Sequence, residues 1–149
     1  MKKLNLPEYE PRFNAERTEV FDPIRKKFVA LIPEEWVRQH FINCLVANLG
    51  FPAGLIRVEL GIEYNHLRKR PDILAFDREG LPLLIVECKS FDQKMNKGVF
   101  DQVSVYNNVI SAPLAIATNG LTHFCWKYED GIPQFLNKIP SFEKALKIR

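Results

Sequence analysis

The chain has 149 residues, 46% of them hydrophobic and 26% charged, with a net charge of +3. That is the size and make-up of one soluble domain with its own core, and the mild basicity permits nucleic-acid binding without demanding it. No apolar run reaches the length of a membrane span, and Met1-Lys2-Lys3-Leu4-Asn5 lacks the apolar stretch of a signal peptide, so the expected compartment is the cytoplasm and no membrane partner is expected.

The first 17 residues are polar, contain Pro7 and Pro11, and read as an irregular arm. Thr18 to Leu31 reads as a hairpin turning near Asp22-Pro23. Pro33 opens a helix that Gly50 closes after about Leu49. Its apolar stripe is Phe41, Leu45 and Leu49 with Val37 and Ile42 beside them; Glu34 and Arg38 lie near that stripe and Glu35 at its border. Residues 55–64 alternate, Ile56, Val58, Leu60, Ile62 and Tyr64 against Arg57, Glu59 and Glu63, as one half-exposed antiparallel strand would.

Pro71 to Asp77 is the next strand, Arg78-Glu79-Gly80 a turn, and Pro82 to Lys89 a strand apolar on both faces and therefore central. A polar loop from Ser90 to Gly98 leads into a helix from Val99 to about Ile110. Leu114 to Thr118 is a short strand, Asn119-Gly120 a hairpin signal, and Thr122 to Tyr128 the return. Gly131-Ile132-Pro133 reads as a turn and the tail after Ser141 as a helix. From residue 33 the order is α, β, β, β, α, β, β, an α/β or α+β sandwich around a mixed sheet. The three cysteines, Cys44, Cys88 and Cys125, are widely spaced, which argues against a disulfide framework, a zinc site or a cluster of four thiolates; they read as small buried side chains. His40, His66 and His123 have no partner at ligand spacing, and Trp36 and Trp126 read as packing residues rather than stacking platforms for bases.

The chemistry gathers on the two middle strands. Asp72 opens one, and the other ends in Glu87-Cys88-Lys89. Residues two apart on a strand share a face, so Glu87 and Lys89 point together and Cys88 points away. If the strands pair, Asp72 and Glu87 can hold one divalent cation with an ammonium beside it. Magnesium takes oxygen ligands and keeps several waters, so one or two carboxylates suffice. Such an ion acidifies water and polarises a phosphoryl oxygen, and Lys89 can stabilise the charge that develops. On the next helix, Gln102 and Tyr106 stand one turn apart on one face. Ahead of Pro71-Asp72 the run His66, Arg68, Lys69 and Arg70 reads equally as a basic loop that could hold a phosphate backbone and as a solvated loop between strands.

Pro71-Asp72, Glu87-Cys88-Lys89 and Gln102 to Tyr106 resemble the PD-(D/E)xK nuclease superfamily, in its RecB-like branch. Pro33-Glu34-Glu35-Trp36-Val37-Arg38-Gln39, Arg68-Lys69-Arg70-Pro71-Asp72, Val86-Glu87-Cys88-Lys89 and Thr118-Asn119-Gly120 resemble more closely the N-terminal nuclease domain of type I restriction enzyme R subunits, over about residues 30–128. The resemblance implies a restriction-endonuclease-like core of α-β-β-β-α-β order and a Mg²⁺-dependent (or Mn²⁺-dependent) DNA endonuclease of restriction-modification. It implies Asp72 and Glu87 as metal ligands, a further acidic ligand from the first helix, either Glu34 or Glu35, and Lys89 as catalytic, with Gln102 and Tyr106 in support. Double-stranded DNA is the expected partner. A duplex cut needs two sites, which makes a homodimer a further expectation. R subunits carry a helicase motor, whereas no Gly-x-x-x-x-Gly-Lys phosphate loop occurs here; helicase or methyltransferase subunits are then expected in trans, unless the chain is a stand-alone relative or an excised domain. The competing expectations are a catalytically silent DNA-binding module of the same fold and an interaction protein whose carboxylates are merely paired with neighbouring bases.

Overall fold

The computed structural model describes residues 1–64 and 67–149, with side chains described for 1–61 and 70–149. His66 therefore lies outside the described residues, as do the side chains of Arg68 and Lys69.

The N-terminal hairpin is β1 (Glu19–Asp22) and β2 (Lys27–Ala30), closed by Asp22, whose carboxylate accepts the backbone N–H groups of Ile24 and Arg25. Helix α1 (Pro33–Asn43) starts on proline and carries Glu34 and Glu35 in its first turn, where the helix dipole favours acids. The predicted continuation to Leu49 is helical but widens into a π-turn over Cys44–Asn48, and Gly50 leaves it with φ of 75°.

A six-stranded sheet follows, in the order β10-β9-β8-β7-β6-β3. Its strands are β3 (Ile56–Val58), β6 (Ile73–Phe76), β7 (Pro82–Cys88), β8 (Leu114–Thr118), β9 (His123–Glu129) and β10 (Ile132–Leu136). Only β7 and β8 are parallel, as befits strands joined by the crossover helix α2 (Lys97–Ile110). A separate ribbon, β4 (Ile62–Tyr64) with β5 (Leu67–Lys69), stands off the sheet, and α3 (Phe142–Leu146) closes the chain with Ser141 as its N-cap.

The sheet is covered on both faces. On one, Val37, Phe41 and Ile42 of α1 and Leu45 of the π-turn pack on Ile73, Ala75, Leu84, Val86 and Cys88; on the other, Val99, Val103 and Tyr106 of α2 pack on Leu74, Ile85 and Ala115. Each fully buried side chain of this size contributes about 1.5–3 kcal/mol relative to exposure. Strand β7 is thus buried on both sides, as its unbroken apolar run requires. All three cysteines are free and buried. No helix among the described residues is long and apolar enough to cross a membrane.

Two expectations are corrected. Residues 55–64 are not one strand: Glu59 takes a left-handed φ of 51° and donates its N–H to the Asp72 carbonyl, so β3 joins the main sheet and β4 turns away to β5. The turn expected at Gly131-Ile132-Pro133 falls earlier, on Asp130 and Gly131, both at positive φ. Ile132 to Leu136 becomes an edge strand, where the missing N–H of Pro133 is tolerated.

The Asn119-Gly120 turn is fixed by more than backbone preference. Gly120 has φ of 84°, and a Cβ there would lie 2.8 Å from Leu4 Cδ2 and 3.1 Å from Val37 Cγ2. Gly120→Ala is therefore expected to cost about 2 kcal/mol, about 6 °C in Tm, by thermal melting; an unchanged Tm would show that this packing is loose.

Candidate metal and nuclease site

Asp72 lies one residue before β6, one step beyond the Ile73–Val86 pair, which sets it across from Glu87 on β7. Glu87 follows Ile85 by two residues and shares its face, toward α2, while Asp72, just outside β6, reaches Arg38 of α1. Each is only 4% exposed. The Asp72 carboxylate is fixed by the Cys88 backbone N–H, which donates to Oδ2 at 2.7 Å, and by Arg38 Nη2, which donates to Oδ1 at 2.5 Å. Glu87 is less satisfied: Lys89 Nζ lies 3.3 Å from Oε1, while Oε2 is buried without a partner. Burial, then the charge and contact of Asp72, push the Glu87 carboxyl well above the usual carboxylate range; Lys89 opposes this only in part. The orphan oxygen and the facing carboxylate are what a divalent cation would relieve.

From Lys89 a line of hydrogen bonds runs to α2. Lys89 Nζ donates to Gln102 Oε1 at 2.7 Å, and Gln102 Nε2 donates to the Tyr106 hydroxyl at 2.9 Å. The residues one helical turn apart do share a face, and that face is turned on the end of β7. Burial raises the Tyr106 phenol, so it stays protonated and keeps its own O–H to donate. The Cys88 thiol points into the opposite core, and burial raises it well above its ordinary value, which leaves it inert.

The two acids of α1 part company. Glu35 is 5% exposed, and both its oxygens are taken: Oε1 by Arg25 Nη2 at 2.8 Å and Arg38 Nη1 at 2.6 Å, Oε2 by Gln39 Nε2 at 3.0 Å. Glu34 is part-exposed and holds Arg38 Nη2 at 3.1 Å, the same nitrogen that donates to Asp72. Burial and then the Asp72 charge raise the Glu34 carboxyl. Glu34 thus keeps an oxygen to spare near Asp72, whereas both Glu35 oxygens are taken by Arg25, Arg38 and Gln39. Among the described residues no three of His, Cys, Asp and Glu meet as a ready ligand set, so a cation held here would rest on the Asp72–Glu87 pair and water, with Glu34 at the rim.

Sequence reasoning missed Arg38 and Arg25. Arg38 is 5% exposed, and burial, which would lower its pKa, is outweighed by Asp72 and Glu35, which keep the guanidinium charged. The available signal was a charged residue beside the apolar stripe of α1; Arg25 gave none, being an ordinary turn residue. Of the basic loop, Arg70 is exposed beside the site. His40 contacts Tyr9 and Trp36, and His123 bonds Thr118 and the Asn5 carbonyl; burial lowers both imidazoles. Trp126 is buried against Phe100 and Phe135, in keeping with a packing role.

Among curated proteins none matches this sequence. The fold is similar to a fragment structure assigned as an HsdR subunit of a type I restriction enzyme from Vibrio vulnificus YJ016, with TM-score 0.62 and 19% identity, covering 78% of this chain and 25% of that one. The chain thus spans about a quarter of that relative's length. A fainter likeness, TM-score 0.44 and 17% identity over 95% of this chain and 88% of the other, is to a crystal structure from Anabaena variabilis ATCC 29413 assigned as a nuclease of DUF820. The α-β-β-β-α-β core is the restriction-endonuclease-like one, with the β4–β5 ribbon inserted. Residues 33–140 match the type I restriction enzyme R protein N terminus, and the chain belongs to that family.

Proposed function

We propose that the chain is a metal-dependent DNA endonuclease domain that uses Mg²⁺ or Mn²⁺ at Asp72 and Glu87. The observation that carries this reading is the buried Glu87 oxygen without a partner, facing Asp72 and flanked by Lys89. Two buried carboxylates that face each other cannot both stay ionised at low cost, so Glu87 keeps its proton in the cation-free protein, and a divalent cation can take that proton's place. When bound, such an ion supplies a more acidic water and a neutralised phosphoryl oxygen.

The chain's own residues do the rest. Lys89, held by Gln102, places an ammonium where charge develops on the phosphate. Tyr106 accepts from Gln102 Nε2 and so turns the single amide oxygen, Oε1, toward Lys89. Glu34 is the α1 acid proposed to complete the cation's surroundings; Glu35 is proposed to hold Arg25 and Arg38 instead. Arg68, Lys69 and Arg70 precede the site in sequence and are proposed to track the backbone of double-stranded DNA. The match to the type I restriction enzyme R protein N terminus supports a place in a restriction complex; helicase or methyltransferase subunits in trans, and a second copy of the chain, are proposed partners.

Supercoiled plasmid incubated with Mg²⁺ and with EDTA tests the proposal. Nicking should require the cation and vanish in Asp72→Ala, Glu87→Ala and Lys89→Ala while circular dichroism stays native; nicking that survives all three sinks it. A silent DNA-binding module is the second reading, favoured by the Arg38 guanidinium already seated on Asp72 Oδ1. Salt-sensitive duplex binding with no cleavage under Mg²⁺ or Mn²⁺ would select it.

A further inference from the structure

The Asp72 carboxylate has no idle oxygen. Oδ2 accepts the Cys88 N–H and Oδ1 accepts Arg38 Nη2, so a cation on either Asp72 oxygen shares it with a donor already in place and lies beside the Arg38 guanidinium. That guanidinium is braced from behind. Its Nη1 donates to Glu35 Oε1, the oxygen that also receives Arg25 Nη2. Arg25 in turn is tied through Nε to Asp22 Oδ2 at 2.5 Å and through Nη1 to Glu59 Oε2 at 3.2 Å. Asp22 is fully buried and closes the β1–β2 turn. An unbroken line, Asp22–Arg25–Glu35–Arg38–Asp72, therefore joins the N-terminal hairpin to the acid pair, and the hairpin lies before the residues 33–140 that match the family.

Building on the metal-site reading above, we infer that Arg25 and Arg38 are a built-in counter-charge that lowers the cation affinity of the Asp72–Glu87 site, with the hairpin setting its strength. Arg38 is too buried to reach a bound duplex, and its two Nη groups are committed to Asp72, Glu34 and Glu35. Like charge opposes a divalent ion beside it, more strongly in a dry site than in water. Loss of Arg25 removes one positive charge and also frees Glu35 Oε1 to draw Arg38 away from Asp72. Both effects have the same sign: they tighten cation binding. A purely structural role for the hairpin gives the opposite expectation, since a loosened site binds no better than a firm one. Arg25 and Arg38 are thus positioning residues for Asp72, acting through charge.

Calorimetric titration with Mn²⁺ alone, without DNA, decides it. The wild type should bind, and Asp72→Asn should not. Arg25→Gln should lower Kd at least about threefold and Arg38→Gln at least about tenfold, while Arg38→Lys, which keeps the charge, stays within about threefold of wild type. Equal or weaker Mn²⁺ binding in a natively folded Arg25→Gln overturns the inference and leaves the metal site standing. Should Arg38→Gln not fold, the double variant Glu35→Gln with Arg38→Gln removes the buried charges as a pair; it too must bind Mn²⁺ more tightly, and unchanged binding counts against the counter-charge. A wild type that binds no Mn²⁺ sinks the metal reading itself and this inference with it.

Discussion

Lys89→Met is expected to cut Mg²⁺-dependent nicking by about 10²–10³-fold, the usual cost of removing a pre-placed charge at a developing anion, while Mn²⁺ still binds. The ammonium is 3.3 Å from Glu87 Oε1 and 2.7 Å from Gln102 Oε1, and the side chain is 16% exposed, so it is aimed at the acid pair yet open to substrate. Arg38, by contrast, is spent on carboxylates. Methionine keeps the length of the stem and the packing, so the loss falls on the charge and not on the fold. Lys89→Arg should not rescue, because a planar fork cannot occupy the place of a compact ammonium bonded to Gln102 Oε1. Initial rates on supercoiled plasmid at saturating Mg²⁺, beside Mn²⁺ titration of the same samples, check this. A Lys89→Met rate within threefold of wild type, with Mn²⁺ bound, would remove Lys89 from the proposed chemistry.

The line from Asp72 to Tyr106 was legible in the sequence because each link is local or nearly so. Strand period sets Glu87 with Lys89, helix period sets Gln102 with Tyr106, and the short Asp77–Leu81 turn, with Asp77 accepting two backbone N–H groups, fixes β6 against β7. The counter-charge was not legible, since Arg25 meets Glu35 and Arg38 meets Asp72 only through tertiary folding. Glu34 and Glu35 stayed open in the sequence for the same reason. Helical phase ranks them by closeness to the apolar stripe, but what separates them is a hairpin guanidinium that the stripe does not contain. The break at Glu59 was hidden because the alternation of residues 55–64 runs unchanged through a left-handed residue whose N–H is captured by the Asp72 carbonyl. A pattern of side chains reports which face is buried; it does not report where the partner strand ends. Strand β10 was passed over because Pro133 reads as a turn signal unless it falls on a sheet edge.

Glu87→Gln is expected to abolish cleavage and yet stabilise the cation-free protein at alkaline pH. Burial and the facing Asp72 raise the Glu87 carboxyl above its unfolded value of about 4.5. The folded state therefore holds a proton that the unfolded state has lost, and stability falls as pH rises through the folded value. Below the unfolded value the contribution is fully present; above the folded one it is gone. Glu34, raised by the same causes to a lesser degree, adds to the decline. His40 and His123, lowered by burial, act at the other end, costing stability only as pH falls below the usual histidine range. Glutamine keeps an acceptor for Lys89 and removes the repulsion, so Glu87→Gln in EDTA at pH 8 should melt about 3–6 °C above wild type, the equivalent of about 1–2 kcal/mol, with the gap closing towards pH 5. Mn²⁺ should reverse the order: at a hundredfold excess over Kd it adds about 2.7 kcal/mol to a protein that binds it, and the glutamine variant has lost one of the two ligands. Melting curves across pH, with and without Mn²⁺, give both signs in one series. A Glu87→Gln protein that melts below wild type at pH 8 in EDTA would mean that the pair is already satisfied by Arg38 and Lys89, and that no charge deficit awaits a cation.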